Sequence, residues 1–532
     1  LLLFFLLTLG AGLEPAAPAP NAPPVGSRVT SDAVRLALRP RLATPEAAPR
    51  LTIAGRTFRA SPFLACFYER RGFAPAWSTD GTLRPAAEEL LAALAAAADD
   101  GLRTEDYRPA VLERLAAAAR SRPDVLPLVD LDLLLSDAFL TFANDLRNGR
   151  VNPQALYPDC ALEPEPTDLA VVLEQALTAG RVRATLAAMA PPHRGYALLR
   201  QALSRYRGLA QRGGAAPVPP GSKLLLGDRG ERVAALRLRL AEAAAADAAP
   251  PLPSSATPEL FDADLEQAVR AFQERRGLAA DGAVGPATLA EINQEAEAHL
   301  RQLEVNLERW RWLPRDLGVR YVLVNIAGFS LEAVAEDRTA LTMRVIVGKP
   351  YTRTPMFSSA LDAVILNPFW NVPQKIALDE LLPKAEKDPG YLEREGFERL
   401  PGSRLRQRPG PKNALGRIKF DFPNRFDVYL HDTPARTLFS RTVRSFSHGC
   451  IRIEKPLALA AWVLDDDPRW SSEAIAARIE TGEELRVPVR RRIAVHVAYW
   501  TAWVDDQGTL TLGRDIYGRD AELARRLAAE RP

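Results

Sequence analysis

Residues 426 to 453 read FDVYLHDTPARTLFSRTVRSFSHGCIRI and carry two of the chain's five histidines and one of its three cysteines. The runs FDVYL and IRI are rich in β-branched and aromatic residues, so both are predicted to be strands. His431 ends the first strand and Cys450 opens the second. A hairpin-like excursion between them brings an imidazole to a thiol. A nucleophilic cysteine needs that pairing, because a thiol near its ordinary pKa of ~8.5 is mostly protonated at neutral pH. Gly449 allows a tight approach, and the turn Ser447-His448-Gly449-Cys450 offers successive backbone N–H groups to a charge developing beside the sulfur.

Other readings of the same residues stay open at this point. A zinc site built from His431, His448 and Cys450 has unusual spacing, no paired C-x-x-C and no named fourth ligand. A structural cysteine among unrelated histidines is the plainer reading. A papain-type protease is excluded, since it requires C-G-[SA]-C-[WY] and a histidine far downstream.

Around this stretch lie further short β-branched runs, VRYVLVNI, LTMRVIVG and AVILNPFW, and then the helical KPLALAAWVLDD. They predict a β-rich unit after Leu307. Between Trp370 and Gly416 sits a charged, partly helical insertion, too long for a connector and suited to a lid beside a site. Upstream, from Val29 to Leu209, apolar residues recur at helical spacing, as in PAAEELLAALAAAADDGL and LDLLLSDAFLTFANDL. The aromatic cluster FYERRGFAPAW reads as core packing. After the break RGGAAPVPPGS comes a compact helical segment over 222–297, with a helix start near Asp228 and Glu231, a turn at Asp281-Gly282 and a last helix opened by Pro286.

At about 150 residues per domain, 532 residues make about three domains. The 69 Lys+Arg and 66 Asp+Glu nearly cancel, which excludes a partner held by phosphate neutralisation, so no nucleic acid is expected. The opening LLLFFLLTLGAG reads as the apolar part of a secretory signal entered partway, and EPAAPAPNAPPVG as an extended linker. Export is expected, and a short lipid-facing anchor, the only membrane contact foreseen, is the other reading of the apolar run. In an oxidising compartment Cys66 and Cys160 either pair as a disulfide or stay separate buried thiols.

Two resemblances organise these observations. Gly227-Asp228, Val233 with Leu236, Ala268 with Phe272-Gln273, Gly277-Leu278 and Asp281-Gly282 with Gly285 and Thr288-Leu289 resemble the small three-helix peptidoglycan-binding module. YLHDT, a gap, then SHGCIR resembles the catalytic motif of the L,D-transpeptidases, with NALGRIKF, VGKPYTRTP and NPFWNVP in support. FYERRGFAPAW, LRNGRVNP and the tail VAYWTAWVDDQGTLTLGRDIYGRD are similar to the large, scaffolded members of Gram-negative periplasms. The resemblance implies a multidomain α+β chain. Its expected parts are a truncated signal peptide and linker over 1–28, a helical scaffold over 29–215, a peptidoglycan-binding-like module over 222–297 and a β-rich catalytic domain over 305–532 with a capping insertion over 371–416.

For chemistry it implies a periplasmic peptidoglycan L,D-transpeptidase that needs no cofactor and no metal. Cys450 is the expected nucleophile on a stem tetrapeptide, releasing D-Ala, and His431 the general acid and base, oriented by the Asp432 backbone carbonyl. The N–H groups of Gly449 and Cys450 are expected to hold the oxyanion, with Tyr429 a further candidate donor. Ser447, His448, Arg452 and Trp370 are expected to shape the substrate pocket, Arg452 pairing either with a substrate carboxylate or with Glu454. The expected partners are peptidoglycan stem peptides and glycan. The acceptor is a second stem's amine (a 3→3 cross-link), a lysine of an outer-membrane lipoprotein, or water; the non-enzymatic alternative is an inactive peptidoglycan-binding scaffold. Carbapenem acylation of Cys450 is a further expectation.

Overall fold

A mixed twelve-stranded sheet carries the C-terminal half of the chain, running in the order Leu485–Pro488, Ala363–Leu366, Ile418–Asp421, Leu430–His431, Ile451–Ile453, Arg338–Gly348, Ser330–Ala335, Arg320–Asn325, Ala494–Ala498, Met356–Ala360 and Cys160–Ala161, with Ser445–Ser447 paired off this path to Arg338–Gly348. The computed structural model describes residues 29–42, 50–53, 56–402 and 404–531. The signal segment and linker expected over 1–28 lie outside them. Strands such as RYVLVN form because alternate Val and Leu side chains leave water for one continuous core, in which Val322, Val324, Val345, Val347, Ile451, Ile453, Val495 and Val497 are all fully buried. Of the predicted strand FDVYL only Leu430 pairs within the sheet, together with the following His431. Asn424 explains why: its side chain accepts from the Phe426 and Val428 N–H groups and donates to the Val428 carbonyl, folding the segment into a turn.

The multidomain α+β architecture stands, with one unforeseen feature. Cys160–Ala161, from the N-terminal helical half, adds in parallel to Met356–Phe357 and covers the outer edge of the large sheet. The helix Arg194–Arg212 likewise packs Leu199, Leu203 and Tyr206 into the core shared with that sheet, whereas buried residues from Val34 to Leu146 and from Leu169 to Leu186 close a separate core. Cys66, on the helix Leu64–Arg70, and Cys160 are both free thiols, which corrects the disulfide alternative. Each sits on its own element, and burial pushes the Cys160 thiol up to about 11.

The helix Val125–Asn148 is buried nearly all round and keeps its acids satisfied: Asp132 accepts from the Ala76 and Trp77 N–H groups and the Tyr68 hydroxyl. It ends at Gly149, φ +82°, where an added Cβ would come 2.5 Å from the Glu308 carboxylate on the helix Ala296–Trp310. The scaffold therefore meets the connecting helix at a joint that only glycine fits.

The segment over 222–297 is three helices, Glu231–Asp247, Ala263–Arg275 and Pro286–Ile292, around Val233, Leu236, Leu265, Val269 and Phe272. Its amide Gln273 braces the Asp281-Gly282 turn, donating to Asp281 at 2.9 Å and accepting from the Gly282 N–H at 2.9 Å.

The insertion leaves the sheet between two neighbouring strands, Ala363–Leu366 and Ile418–Asp421, and builds a small core from Val372, Ala377, Leu381, Leu392, Phe397 and Leu405. Short helices and a three-stranded sheet, Trp370–Asn371, Arg404–Gln407 and Phe397–Leu400, enclose it. At its base the buried Asn413 amide donates to the Pro368 and Arg408 carbonyls at 2.9 Å each, so the two ends of the insertion are tied together.

Candidate active site

Leu430–His431 runs parallel to Ile451–Ile453, with Leu430 opposite Ile451 and His431 opposite Arg452, and the Ile451 N–H donates to the Tyr429 carbonyl at 3.1 Å. Paired residues share a face, and faces alternate along a strand. Leu430 and Ile451 therefore turn into the core together, while Tyr429, His431, Cys450 and Arg452 share the other face. Phenol, imidazole, thiol and guanidinium converge without any of them coming from the same turn. Lys419, opposite His431 on the next strand, joins them, its Nζ 4.2 Å from the centre of the Tyr429 ring.

His431 is buried, and its Nδ1 lies 2.6 Å from the Asp432 carbonyl oxygen. A carbonyl only accepts, so Nδ1 carries the proton and Nε2 is left for exchange with a neighbour. Burial, with Arg452 nearby, lowers the imidazole to about 3. The Asp432 carboxylate faces elsewhere, accepting from the Arg417 N–H at 2.9 Å and pairing with Arg436 at 3.2 Å. The side chain is thus spent on the loop, and the backbone carbonyl is what meets His431.

Cys450 is half-buried. Its Sγ lies 3.9 Å from the Asp427 carbonyl, and burial raises the thiol above its ordinary range. Tyr429 stands beside it: burial first, and the adjacent Cys450 second, hold the phenol well above its usual pKa, while a hydrogen bond from Trp370 pulls the other way.

The turn from Ser447 to Cys450 differs from expectation at Gly449. Its N–H, expected in an oxyanion hole, donates to Ser447 Oγ at 3.1 Å, and Ser447 Oγ donates to the Cys450 carbonyl at 2.6 Å. Gly449 serves by conformation instead, with φ +120° in a region where side chains are strained. Among the described residues the Cys450 N–H has no acceptor. Ser447 closes the turn internally. Its carbonyl accepts from the Lys349 N–H at 3.0 Å and Thr352 Oγ1 at 3.1 Å.

His448 points away from the thiol, with Nε2 2.6 Å from Glu380 Oε1 on the cap. It joins catalytic loop to cap and shares no ligand set with Cys450. No three His, Cys, Asp or Glu side chains gather in a metal-binding arrangement among the described residues. Arg452 makes no ion pair among the described residues, because Glu454 bonds Arg344 instead, through Nε at 3.0 Å. Its partly buried guanidinium, with Nε unpartnered, is left for an anion on the thiol's face. Sequence reasoning missed Thr354, Tyr517, Lys419, Asp427 and Glu380. The first four lay in stretches already singled out, VGKPYTRTP, DIYGRD, NALGRIKF and FDVYL.

Three families match along the chain. Residues 62–203 match "Scaffold domain", 229–292 match "Putative peptidoglycan binding domain" and 319–475 match "L,D-transpeptidase catalytic domain". The "Putative L,D-transpeptidase" of Haemophilus influenzae is 33% identical over 253 residues, 44% of this chain and 51% of that protein. The chain thus spans about half the length of that curated relative. The N-acetylmuramoyl-L-alanine amidase CwlM of Mycobacterium tuberculosis is 61% identical over 36 residues, 7% of this chain and 9% of that protein. Among solved structures, an L,D-transpeptidase from Mycobacterium smegmatis shares 17% identity over 34% of this chain and 58% of that one, TM-score 0.19. One from Stackebrandtia nassauensis shares 14% over 53% and 97%, TM-score 0.21.

Proposed function

We propose that this chain, whose residues 319–475 match the L,D-transpeptidase catalytic domain, cross-links peptidoglycan through a thioester on Cys450. The observation that carries the reading is the register of His431 against Arg452, which sets imidazole, thiol and phenol on one face. His431 Nε2 takes the thiol proton as Sγ attacks the carbonyl between the third residue of a stem tetrapeptide and its terminal D-Ala. The oxyanion is held by the Cys450 N–H and the Tyr429 hydroxyl. Collapse breaks the C–N bond, His431 returns the proton to the leaving amine, and D-Ala departs. An acceptor amine then attacks the thioester, His431 takes its proton, and the thiol is restored. Arg452 binds a stem carboxylate.

Supported by the peptidoglycan-binding-like module and the catalytic match, the substrate is the peptidoglycan stem and the working compartment lies outside the cytoplasmic membrane, in the periplasm. No described helix is long and apolar enough to cross a membrane. A cap with its own core, bonded to the catalytic loop through His448 and Glu380, favours an amine acceptor by keeping water from the thioester. The preferred acceptor is a second stem's side-chain amine, giving a 3→3 cross-link, ahead of a lipoprotein lysine. A carbapenem, whose lactam carbonyl presents the same electrophile, acylates Cys450.

The test is mass spectrometry of products from disaccharide-tetrapeptide, with Cys450→Ala as control. Cross-linked dimer with loss of D-Ala, absent in the variant, is the expected result. Tripeptide alone makes the enzyme a carboxypeptidase, and unchanged substrate with the sacculus still bound makes it a scaffold.

A further inference from the structure

The peptide joining Gly449 to Cys450 is gripped from behind. Its carbonyl oxygen accepts from Thr354 Oγ1 at 2.8 Å, and Thr354 is fully buried. A trans peptide is planar, so its C=O and N–H point in opposite directions. A carbonyl held toward Thr354 aims the Cys450 N–H the other way, beside the sulfur on the open side. This is the donor left without an acceptor once Ser447 has taken the Gly449 N–H.

Thr354 is fixed in turn. Its Oγ1 has one proton, given to Gly449, and it accepts from the Gly348 N–H at 2.9 Å. Its own N–H donates to the Tyr517 hydroxyl at 3.1 Å, and that hydroxyl donates to the Gly348 carbonyl at 2.7 Å. One phenol thus closes the turn from Gly348 to Thr354 and sets where the threonine hydroxyl stands. Gly348 allows so tight a turn because an added Cβ there would lie 2.0 Å from the Thr352 carbonyl. Tyr517 does not float: its N–H donates to the Tyr499 hydroxyl at 2.9 Å, its ring stacks on Tyr499 at 5.4 Å, and the buried Arg519 lies over both rings. Arg519 leads on to the scaffold, pairing with Asp159 and accepting at its carbonyl from the Tyr157 hydroxyl at 2.8 Å.

We infer that Tyr517, from the far C-terminal segment, is a positioning residue for the reaction, acting through Thr354 to orient the Gly449–Cys450 peptide and so aim the Cys450 N–H at the oxyanion. The inference rests on the acylation of Cys450 proposed above. It gives the tail a part in catalysis, and it makes the geometry of the catalytic turn depend on how the scaffold strand seats against Arg519.

Alkylation and acylation separate this role from general support. Iodoacetamide needs only the sulfur, since no oxyanion forms, whereas D-Ala release from disaccharide-tetrapeptide and acylation by a carbapenem both need the oxyanion donor. Tyr517→Phe and Thr354→Val in the full chain are expected to lower kcat for D-Ala release by about 10- to 100-fold, and carbapenem acylation by a similar factor. KM and the alkylation rate are expected to stay within about twofold, since neither uses the donor. Thr354→Ser, which keeps the hydroxyl, is expected to recover most of what Thr354→Val loses. Alkylation falling in step with acylation would mean a general disturbance of the loop and overturn the inference, as would a Tyr517→Phe enzyme as fast as its parent. A parent chain that alkylates but is acylated by neither reagent fails the transpeptidase reading itself, and the inference falls with it.

Discussion

His431 donates from Nδ1 to the carbonyl oxygen of Asp432, the next residue along, at 2.6 Å. The bond selects one tautomer, and the environment selects one charge state: burial lowers the imidazole to about 3 and raises the thiol of Cys450. Both shifts favour a neutral thiol beside a neutral imidazole over a thiolate–imidazolium pair. Thiolate is therefore expected to form only as pH rises past the ordinary thiol value of ~8.5, read from its far-ultraviolet absorbance and from the pH profile of iodoacetamide labelling. A strong thiolate signal at neutral pH, lost in His431→Ala, would contradict this and indicate a preformed ion pair.

Burial has the same effect on three more of the five histidines. His193 is lowered to about 4, His299 to about 3, and His496 is lowered as well. A folded-state pKa below the unfolded value of ~6.5 means that the unfolded chain binds more protons between the two. The stability these groups contribute is full above ~6.5 and is lost as pH falls toward the folded values, each adding a slope of up to about 1.4 kcal/mol per pH unit. The urea midpoint of the parent chain, taken relative to that of His299→Leu, is expected to fall between about pH 6.5 and 5; the difference isolates the imidazole from buried carboxylates such as Glu304 and Glu308, whose raised pKa values act with the opposite sign. A difference that stays constant across that window refutes the account.

The bond between His448 Nε2 and Glu380 Oε1 predicts how firmly the cap closes. Both side chains are partly exposed, so the pair contributes about 0.2–1 kcal/mol, a factor of up to about five in the closed fraction. Glu380→Ala is expected to speed amide exchange across the cap by that factor, leave exchange in the central sheet unchanged, and shift products from cross-linked dimer toward tripeptide as water reaches the thioester. Unaltered cap exchange would mean that the Asn413 tie at its base holds the cap alone.

Much of this site is legible in one dimension because it is local. Cys450, Gly449 and Ser447 lie in one turn, and the Asp432 carbonyl, which the resemblance singles out, adjoins His431. What escapes is what depends on distant pairing. No periodicity says that Tyr517 meets Thr354, or that Cys160–Ala161 becomes an edge strand for Met356–Phe357, since each depends on the closure of a long loop. At Gly449 the limit is similar: a glycine in a turn announces its φ, but where its N–H goes depends on the rotamer of Ser447. Arg452 and Glu454 have the i,i+2 spacing of one strand face and look like a pair, yet Arg344 on the neighbouring strand takes the carboxylate first.

The small module is docked rather than tethered. Asp247, at the end of its first helix, has a side chain with no solvent exposure; it pairs with Arg275 at 3.1 Å and Arg276 at 2.9 Å and accepts from the Tyr206 hydroxyl of the scaffold helix at 2.8 Å. Tyr206 also packs edge-on against His299 of the connecting helix. Asp247→Ala strands a buried guanidinium, at a cost of about 3–5 kcal/mol. The module keeps its own core of Val233, Leu236, Val269 and Phe272, so the loss falls on docking before folding. Expected are a new low-temperature calorimetric transition and faster proteolysis in the stretch from Arg212 to Ser222, with binding to sacculi retained. One transition at the parent temperature would mean the network contributes little net stability, as buried ion networks sometimes do. One transition shifted downward as a whole would mean module and scaffold unfold as a unit, and the module's role would then be inseparable from that of the helix it sits on.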